Sequence, residues 1–407
     1  MSEQKAFLEK VHIKNYRSLR NVTLPLKPLT VLVGPNASGK SNVLNALRFI
    51  KKTIIDKTLP QVRQIQNFLW VGTATNITFQ LDTKVEGVQT KYKVVLKTDA
   101  DNPIDIEELI INGVKIISLK DGQGEVWNSN GASETISNTK KLALKSDDDY
   151  RHNTVTNALT TFIKSWNFYD FQPGFTLSEL DEFEKKKLEQ INDESSEFLK
   201  ILSLSDSIAT ALNATFRLVL KEVLSSWHKN DQEHFHIVSA SLKASTNIGI
   251  EYHSINGNDQ LYLLEGYKRP IPFERASSGT LRLIAYYILL NDPELPPLVV
   301  IEEPERNLHP GALKHIANVL EQLTERTQVI ITTHSSQLLD AFNSKSLSDS
   351  LGVLLLRNRP GLGTEVLNIE DIRDKREALA GWIADFGIGS AVFDSGLLQD
   401  LMEEPVC

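Results

Sequence analysis

The sequence predicts an α/β protein with a mixed sheet, antiparallel strands towards its N-terminus and a helical insertion lobe in the middle. Three patterns predict it. Short apolar runs without alternation, LTVLVG (29–34), VVIEE (299–303) and QVIITTH (328–334), have the composition of strands buried on both faces. Apolar–polar alternation fills FLEKVHIKNY (7–16) and much of 75–128, as in strands with one face in solvent. Between them, roughly 178–228 keeps a helical spacing, with Ile208, Leu212, Phe216, Val219, Leu220, Val223, Leu224 and Trp227 in register. At 407 residues the chain exceeds one ordinary core. Buried strands at both ends can join in one lobe, with the middle as a second.

In order, FLEKVHIKNY, VTLPL and LTVLVG read as strands, and 41–52 as a helix with Val43, Leu44, Leu47 and Ile50 on one stripe. NITFQL, YKVVLK and IEELIINGVKIISL follow as antiparallel strands, turning at Asn112-Gly113. Residues 129–155 are polar and lack a period, which predicts a mobile loop. SWNFYDF (165–171) is a strand, and strands return over 235–265 after the helical stretch. His234 and His236 flank Phe235 there; on a strand they share a face, as solvated side chains or as a metal pair. VVIEE, QVIITTH and GVLLLRN are strands of the closing α/β part. The expected divisions are 1–175, 176–232 (the insertion), 233–345 and a strand-and-helix tail at 346–407.

Composition narrows the function. A net charge of −8 argues against bulk, sequence-independent nucleic-acid binding, while leaving room for a local basic patch. The one cysteine, Cys407, cannot build a disulfide framework, which fits a reducing cytoplasmic setting. The N-terminal residues lack the apolar core of a signal peptide, and LPPLVVI (295–301) is too short to span a bilayer. No membrane association is expected.

Gly34-Pro35-Asn36-Ala37-Ser38-Gly39-Lys40-Ser41 fits G-x-x-x-x-G-K-[ST] between a buried strand and an amphipathic helix. Its glycines let backbone N–H groups turn inward around phosphate oxygens, and the helix start adds partial positive charge. Lys40 is placed for the β- and γ-phosphates of ATP and the Ser41 hydroxyl for Mg²⁺; Asn42 completes the candidate nucleotide-binding set. Glu302 and Glu303 end a buried strand, where ligands bind in α/β sheets. Glu302 suits the Mg²⁺ shell, and Glu303 a general base for the attacking water.

Four further segments carry a resemblance. Ala276-Ser277-Ser278-Gly279-Thr280 before LRLIAYYILL resembles a degenerate signature of ABC-type ATPases. Pro304–Pro310 is similar to their D-loop, Ile330–His334 to their switch histidine, and HIKNYRSLRNVTL (12–24) to the opening of RecF-like and overcoming-lysogenization-defect (OLD)-like members. The order matches across about 7–340. The resemblance implies an ABC-type P-loop NTPase fold and an ATP-dependent homodimer in which Ser277 and Gly279 meet the γ-phosphate bound by the other copy. It also implies His334 as a γ-phosphate sensor, Arg17 as a nucleotide contact, and a Q-loop glutamine for the metal, for which Gln172 is the candidate. Plain alternatives stand beside these: Ser277 as an ordinary N-cap, Arg17 as a solvated charge and Gln172 as a loop residue. Glu302 stands where most of the family carries Asp, and Ser278 where it carries Gly.

The insertion is too short for the long coiled coils of chromosome-maintenance ATPases. No Asp-x-Asp follows His334, so the Toprim nuclease of the OLD group is not expected in this chain. The tail segment ALAGWIADFGIGSAVFDSGLL, with Trp382, Phe386, Ile388, Val392, Phe393 and Leu397, is either the last packed piece of the lobe or a docking tail. The resulting expectation is an ATP-hydrolysing switch that controls a separately encoded nuclease or toxin in prokaryotic antiphage defence. A DNA-repair or DNA-end-binding ATPase and a non-catalytic ATP-binding scaffold are the alternatives.

Overall fold

The computed structural model describes residues 6–171 and 217–394, apart from 57–58, 72–73, 128–130, 138, 140, 146–153, 218–219, 256–257, 265, 267–268, 348 and 376. Gln172, Asp147–Asp149, Ile208, Leu212, Phe216, Val219, Leu397 and Cys407 lie outside the described residues. The strands are β1 (Ala6–Tyr16), β2 (Leu19–Pro25), β3 (Leu29–Val33), β4 (Asn76–Val85), β5 (Val88–Lys97), β6 (Ile104–Ile111), β7 (Val114–Lys120), β8 (Gln123–Trp127) and β9 (Ser133–Ile136). They continue with β10 (Asn167–Tyr169), β11 (Gly249–Ile255), β12 (Asn258–Leu264), β13 (Ile271–Pro272), β14 (Leu298–Glu302), β15 (Gln328–Thr333), β16 (Leu351–Arg359) and β17 (Gly363–Asn368).

The central sheet runs β10-β14-β15-β3-β16-β17. Its first five strands are parallel and β17 closes it antiparallel. Successive side chains alternate between two cores. Val31, Val33, Val299, Ile301, Val329 and Ile331 enter one, with helices Ser278–Leu290 and Pro310–Leu323. Leu32, Leu298, Val300 and Ile330 enter the other, with helix Lys40–Ile55 and the antiparallel sheet. Burial on both faces is why these strands read as unbroken apolar runs. The C-terminal strand expected in 346–407 lies beside β3, inside this sheet.

The antiparallel sheet has the order β2-β1-β4-β5-β6-β7-β8-β9. Asn112 (φ 47°) and Gly113 (φ 83°) make the expected turn from β6 to β7, with the positive φ at both central residues that a type I′ hairpin requires. Helix Lys40–Ile55 buries Val43, Leu44, Leu47 and Ile50 as its spacing predicts.

Two sequence expectations fail. The loop predicted for 129–155 instead contains β9, a turn at Ala143–Lys145 and the first residues of helix Thr154–Lys164. The turn is pinned from a distance: Glu107 on β6 accepts the N–H of Ala143 (2.7 Å) and of Leu144 (2.9 Å) and the Tyr92 hydroxyl (3.1 Å). The strand predicted from 235 onward is helix Gln232–Thr246, and strands resume only at Gly249. Asp231 caps that helix by accepting His234 N–H, and Phe235, Val238 and Leu242 bury a helical stripe. His234 pairs with Asp231 at 2.6 Å, while His236 is exposed two helical positions away. The shared face needed for a metal pair does not exist.

Burial drives the Glu107 carboxyl up to about 7 despite its hydrogen bonds. The unfolded chain sheds this proton at the ordinary glutamate value, so the native form holds the extra proton from there up to about pH 7. Its contribution to stability therefore falls as pH rises through that window. Glu107→Gln should remove that dependence. Thermal melts from pH 4.5 to 7.5 should show wild type losing on the order of 2–3 kcal/mol relative to the variant, and parallel profiles would refute this reading.

Candidate functional site

The parallel strands deliver the predicted groups to one edge. β3 ends at Val33, and the chain turns at Gly34 into the phosphate loop. A Cβ at Gly34 would lie 2.2 Å from the Leu356 carbonyl oxygen on β16, so no side chain fits. Gly39 holds φ +108°, and a Cβ there would lie 2.2 Å from Thr364 Oγ1. Asn36 and Ala37 are exposed at the tip, whereas Ser38, Gly39 and Lys40 are buried beneath it. Lys40 Nζ donates to the carbonyls of Gly34 (2.7 Å) and Pro35 (3.0 Å). Burial pushes the Lys40 ammonium below its ordinary value, opposed by Glu303, Glu305 and Glu302. Ser38 Oγ is buried with no partner among the described residues. A folded-back cation and an orphaned hydroxyl in a glycine-built cradle fit an anionic ligand.

Two strands over from β3, β14 ends at Glu302, whose Oε1 accepts from Ser41 Oγ at 2.7 Å. A hydroxyl and a carboxylate held together suit a hard divalent cation. No cluster of three or more His, Cys, Asp or Glu able to hold a metal occurs among the described residues.

Glu303 sits at φ +43° just past β14, and its N–H donates to the Thr332 carbonyl (3.1 Å) on β15. Its carboxylate is engaged on both oxygens. Oε2 accepts from Arg306 Nε (2.9 Å) and Nη2 (2.5 Å), and Oε1 lies 3.4 Å from His334 Nδ1. Glu305 secures the histidine strand end by accepting from Thr333 Oγ1 (2.6 Å) and His334 N–H (3.2 Å). Its Oε1 also lies 3.6 Å from His334 Nδ1.

Ser277 and Gly279 stand at a separate place. Ser277 N-caps helix Ser278–Leu290 by accepting from Thr280 N–H at 3.1 Å. A Cβ at Gly279 would be nearest the Asn307 carbonyl oxygen, at 3.5 Å. The signature turn thus adjoins the 304–310 loop, and Ser277, Ser278, Asn307 and His309 are all exposed. Arg17, in the β1–β2 turn, is exposed, with its guanidinium 5.0 Å from the Phe68 ring centroid and 5.8 Å from that of Tyr16. The Asn42 side chain donates to Ser18 Oγ at 2.7 Å.

Sequence reasoning missed Glu305, Arg306, Asp170 and Thr364 as site residues. The first two lie in a loop assigned on resemblance as a whole. Asp170 follows β10, whose Tyr169 is opposite Ile301, so it stands beside Glu302. Burial and the Glu302 charge hold its carboxyl above the ordinary value. That register is invisible before the sheet order is known.

Comparison with known proteins agrees with this arrangement. The family model described as "AAA domain, putative AbiEii toxin, Type IV TA system" matches residues 29–340. The chain is 34% identical over 108 residues to the OLD nuclease of Thermus scotoductus, covering 25% of this chain and 20% of that protein. It is 26% identical over 376 residues to the Old nuclease of Escherichia phage P2, covering 82% of this chain and 57% of that protein. The chain therefore spans less than two thirds of the length of these curated relatives. The Smc head domain of Pyrococcus furiosus, solved bound to the C-terminal domain of ScpA, superposes with a TM-score of 0.51 at 13% identity, over 92% of this chain and 100% of that one. This likeness shows the shared fold. Among the described residues, no helix is long and apolar enough to cross a membrane.

The buried Lys40 ammonium is a desolvation cost unless an anion meets it. Lys40→Met should therefore melt at or above the wild-type temperature without nucleotide. It should lose the rise expected of wild type with saturating Mg-ATP, about 3 kcal/mol at one hundred times Kd. An undiminished nucleotide-induced rise in differential scanning fluorimetry would remove Lys40 from the site.

Proposed function

Since the chain belongs to this AAA-domain family and is an ABC-type ATPase of the RecF/SMC/OLD group, we propose that it hydrolyses Mg-ATP in sites shared between two copies. The observation that carries the reading is the convergence of the phosphate loop, the Ser41–Glu302 pair and the Glu303–His334 pair at one sheet edge. The signature turn, meanwhile, lies exposed beside the 304–310 loop. Two copies meeting head-to-tail place that exposed surface over the partner's phosphate loop.

Lys40 then leaves the Gly34 and Pro35 carbonyls for the β- and γ-phosphates. Ser41 and Glu302 would hold Mg²⁺, with Gln172 as the candidate Q-loop ligand, and the ion would supply charge neutralisation at the phosphates. The backbone from Asn36 to Ser41 cradles them, and Arg17 and Asn42 border the nucleotide. Glu303 takes the proton of the attacking water, and His334 senses the γ-phosphate. Arg306 bears on this step, because its guanidinium occupies Glu303 Oε2 with two hydrogen bonds and so competes with the attacking water for that oxygen. Arg306 belongs to the same 304–310 loop that adjoins the signature turn, so contact with a second copy can free Glu303. Ser277 and Gly279 of one copy read the γ-phosphate held by the other, which couples closure to ATP and opening to hydrolysis.

The toxin–antitoxin wording of the family and the two relatives named OLD nuclease support a biological role in prokaryotic antiphage defence. In it, the cycle governs a separately encoded nuclease or toxin.

Glu303→Gln tests the core of this reading. Turnover should fall by at least about a hundredfold while Mg-ATP binding persists, and the variant should accumulate as a dimer with ATP in size-exclusion chromatography with light scattering. Wild-type turnover in the variant would exclude Glu303 as the base, and a monomer at saturating ATP would exclude the shared site.

A further inference from the structure

The floor of the phosphate loop is held by residues outside the matched segment 29–340. Thr364, in β17, is buried, and its Oγ1 donates to the Ser38 carbonyl at 3.1 Å. The same oxygen shares a 2.7 Å hydrogen bond with Ser18 Oγ. Ser18 Oγ in turn accepts from Asn42 Nδ2 at 2.7 Å. Each hydroxyl has one proton. Thr364 gives its proton to Ser38, so Ser18 must give its own to Thr364. The result is a one-way relay from Asn42 through Ser18 and Thr364 to the Ser38 carbonyl, in which each bond polarises the next. A backbone bond from Thr364 N–H to the Ser18 carbonyl (2.7 Å) fixes the two partners to each other.

The relay ends on a peptide group whose direction matters. In a trans peptide, C=O and N–H point in opposite directions. Holding the Ser38 carbonyl against β17 turns the Gly39 N–H away from β17. Gly39 is the residue whose φ of +108° and contact with Thr364 leave no room for a side chain. The C-terminal hairpin thus controls the orientation of a loop amide placed to meet phosphate.

We propose that Thr364 is a positioning residue of the nucleotide site, acting through the Ser38 carbonyl, and that Ser18 and Asn42 orient its hydroxyl. The proposal rests on nucleotide binding by this loop, as argued above. It makes ATP affinity a property of the β16–β17 hairpin as well as of the loop itself.

Mg-ATP affinity measured by calorimetry on the full chain separates the possibilities. Thr364→Val keeps the shape and removes the hydroxyl, and should weaken binding by roughly tenfold. Thr364→Ser should recover affinity to within about threefold, since it restores the bond. KM should rise with kcat nearly constant. Ser18→Ala should weaken binding less, and combined with Thr364→Val it should add little, because both act through one relay. Wild-type affinity in Thr364→Val would overturn the proposal. So would a loss in Thr364→Val that Thr364→Ser does not restore, or a Ser18→Ala loss fully additive with it. Wild type that binds no Mg-ATP would instead overturn the nucleotide reading itself, and the proposal with it.

Discussion

The site depends on the parallel register of β3, β14 and β15. Val33 pairs with Thr333, and Glu302 with Thr332. Because all three strands run the same way, the residues just past each end arrive at one edge: Gly34, Glu303 and His334. Parallel strands cannot be joined by tight hairpins. The groups that must meet are therefore far apart in sequence and meet only through the sheet. The register also rests on polar anchoring at the opposite end of the strands. Gln328 at the start of β15 is buried, accepts Leu8 N–H at 2.9 Å and donates to the Leu8 carbonyl at 2.8 Å. This ties the parallel sheet to the antiparallel one.

This edge is crowded with charge of both signs. The charges of Glu303, Glu305 and Glu302 act on Lys40 from a distance, and Arg306 is hydrogen-bonded to Glu303. Arg282 on the signature helix is almost fully buried, and its Nε has no partner among the described residues. Buried charge of this kind is costly unless it is paired, and its presence at one sheet edge marks a site arranged for chemistry. The proposed dimer turns the same observation into a control device. The loop that carries Arg306 is also the loop beside the signature turn, so in that proposal contact with a second copy at the exposed turn would draw Arg306 from Glu303.

Sequence patterning made the central sheet legible because burial on both faces leaves an unbroken apolar run. The phosphate loop was legible because its glycines are irreplaceable: each would place a Cβ 2.2 Å from an oxygen. The failures have a common cause. The loop reading of 129–155 followed local polarity, but Glu107 supplies the anchor from β6 across the fold. The strand reading from 235 followed the alternation of His234, Phe235 and His236, but the Asp231 cap and the Phe235–Val238–Leu242 stripe selected a helix. Thr364 and Asp170 gave no local signal, because each owes its place to strand order. The tail gave a mixed signal. Ile388 and Val392 are buried, and Asp340 accepts from the N–H groups of Gly389 (2.6 Å) and Ser390 (3.1 Å), which makes 388–393 a packed piece of the lobe. Trp382 and Phe386 of the same segment are exposed at 38% and 62% and contact each other.

The central claim is that one chain supplies the phosphate loop and the other the signature turn. Mixing two inactive variants tests it most directly. Lys40→Met disables a protomer's own loop, and Ser277→Arg disables the turn it offers to its partner. Each variant alone should hydrolyse almost no ATP. Their mixture should regain turnover, because the mixed dimer holds one site with an intact loop from one copy and an intact turn from the other. No regain in the mixture, or full turnover by Ser277→Arg alone, would contradict a shared site.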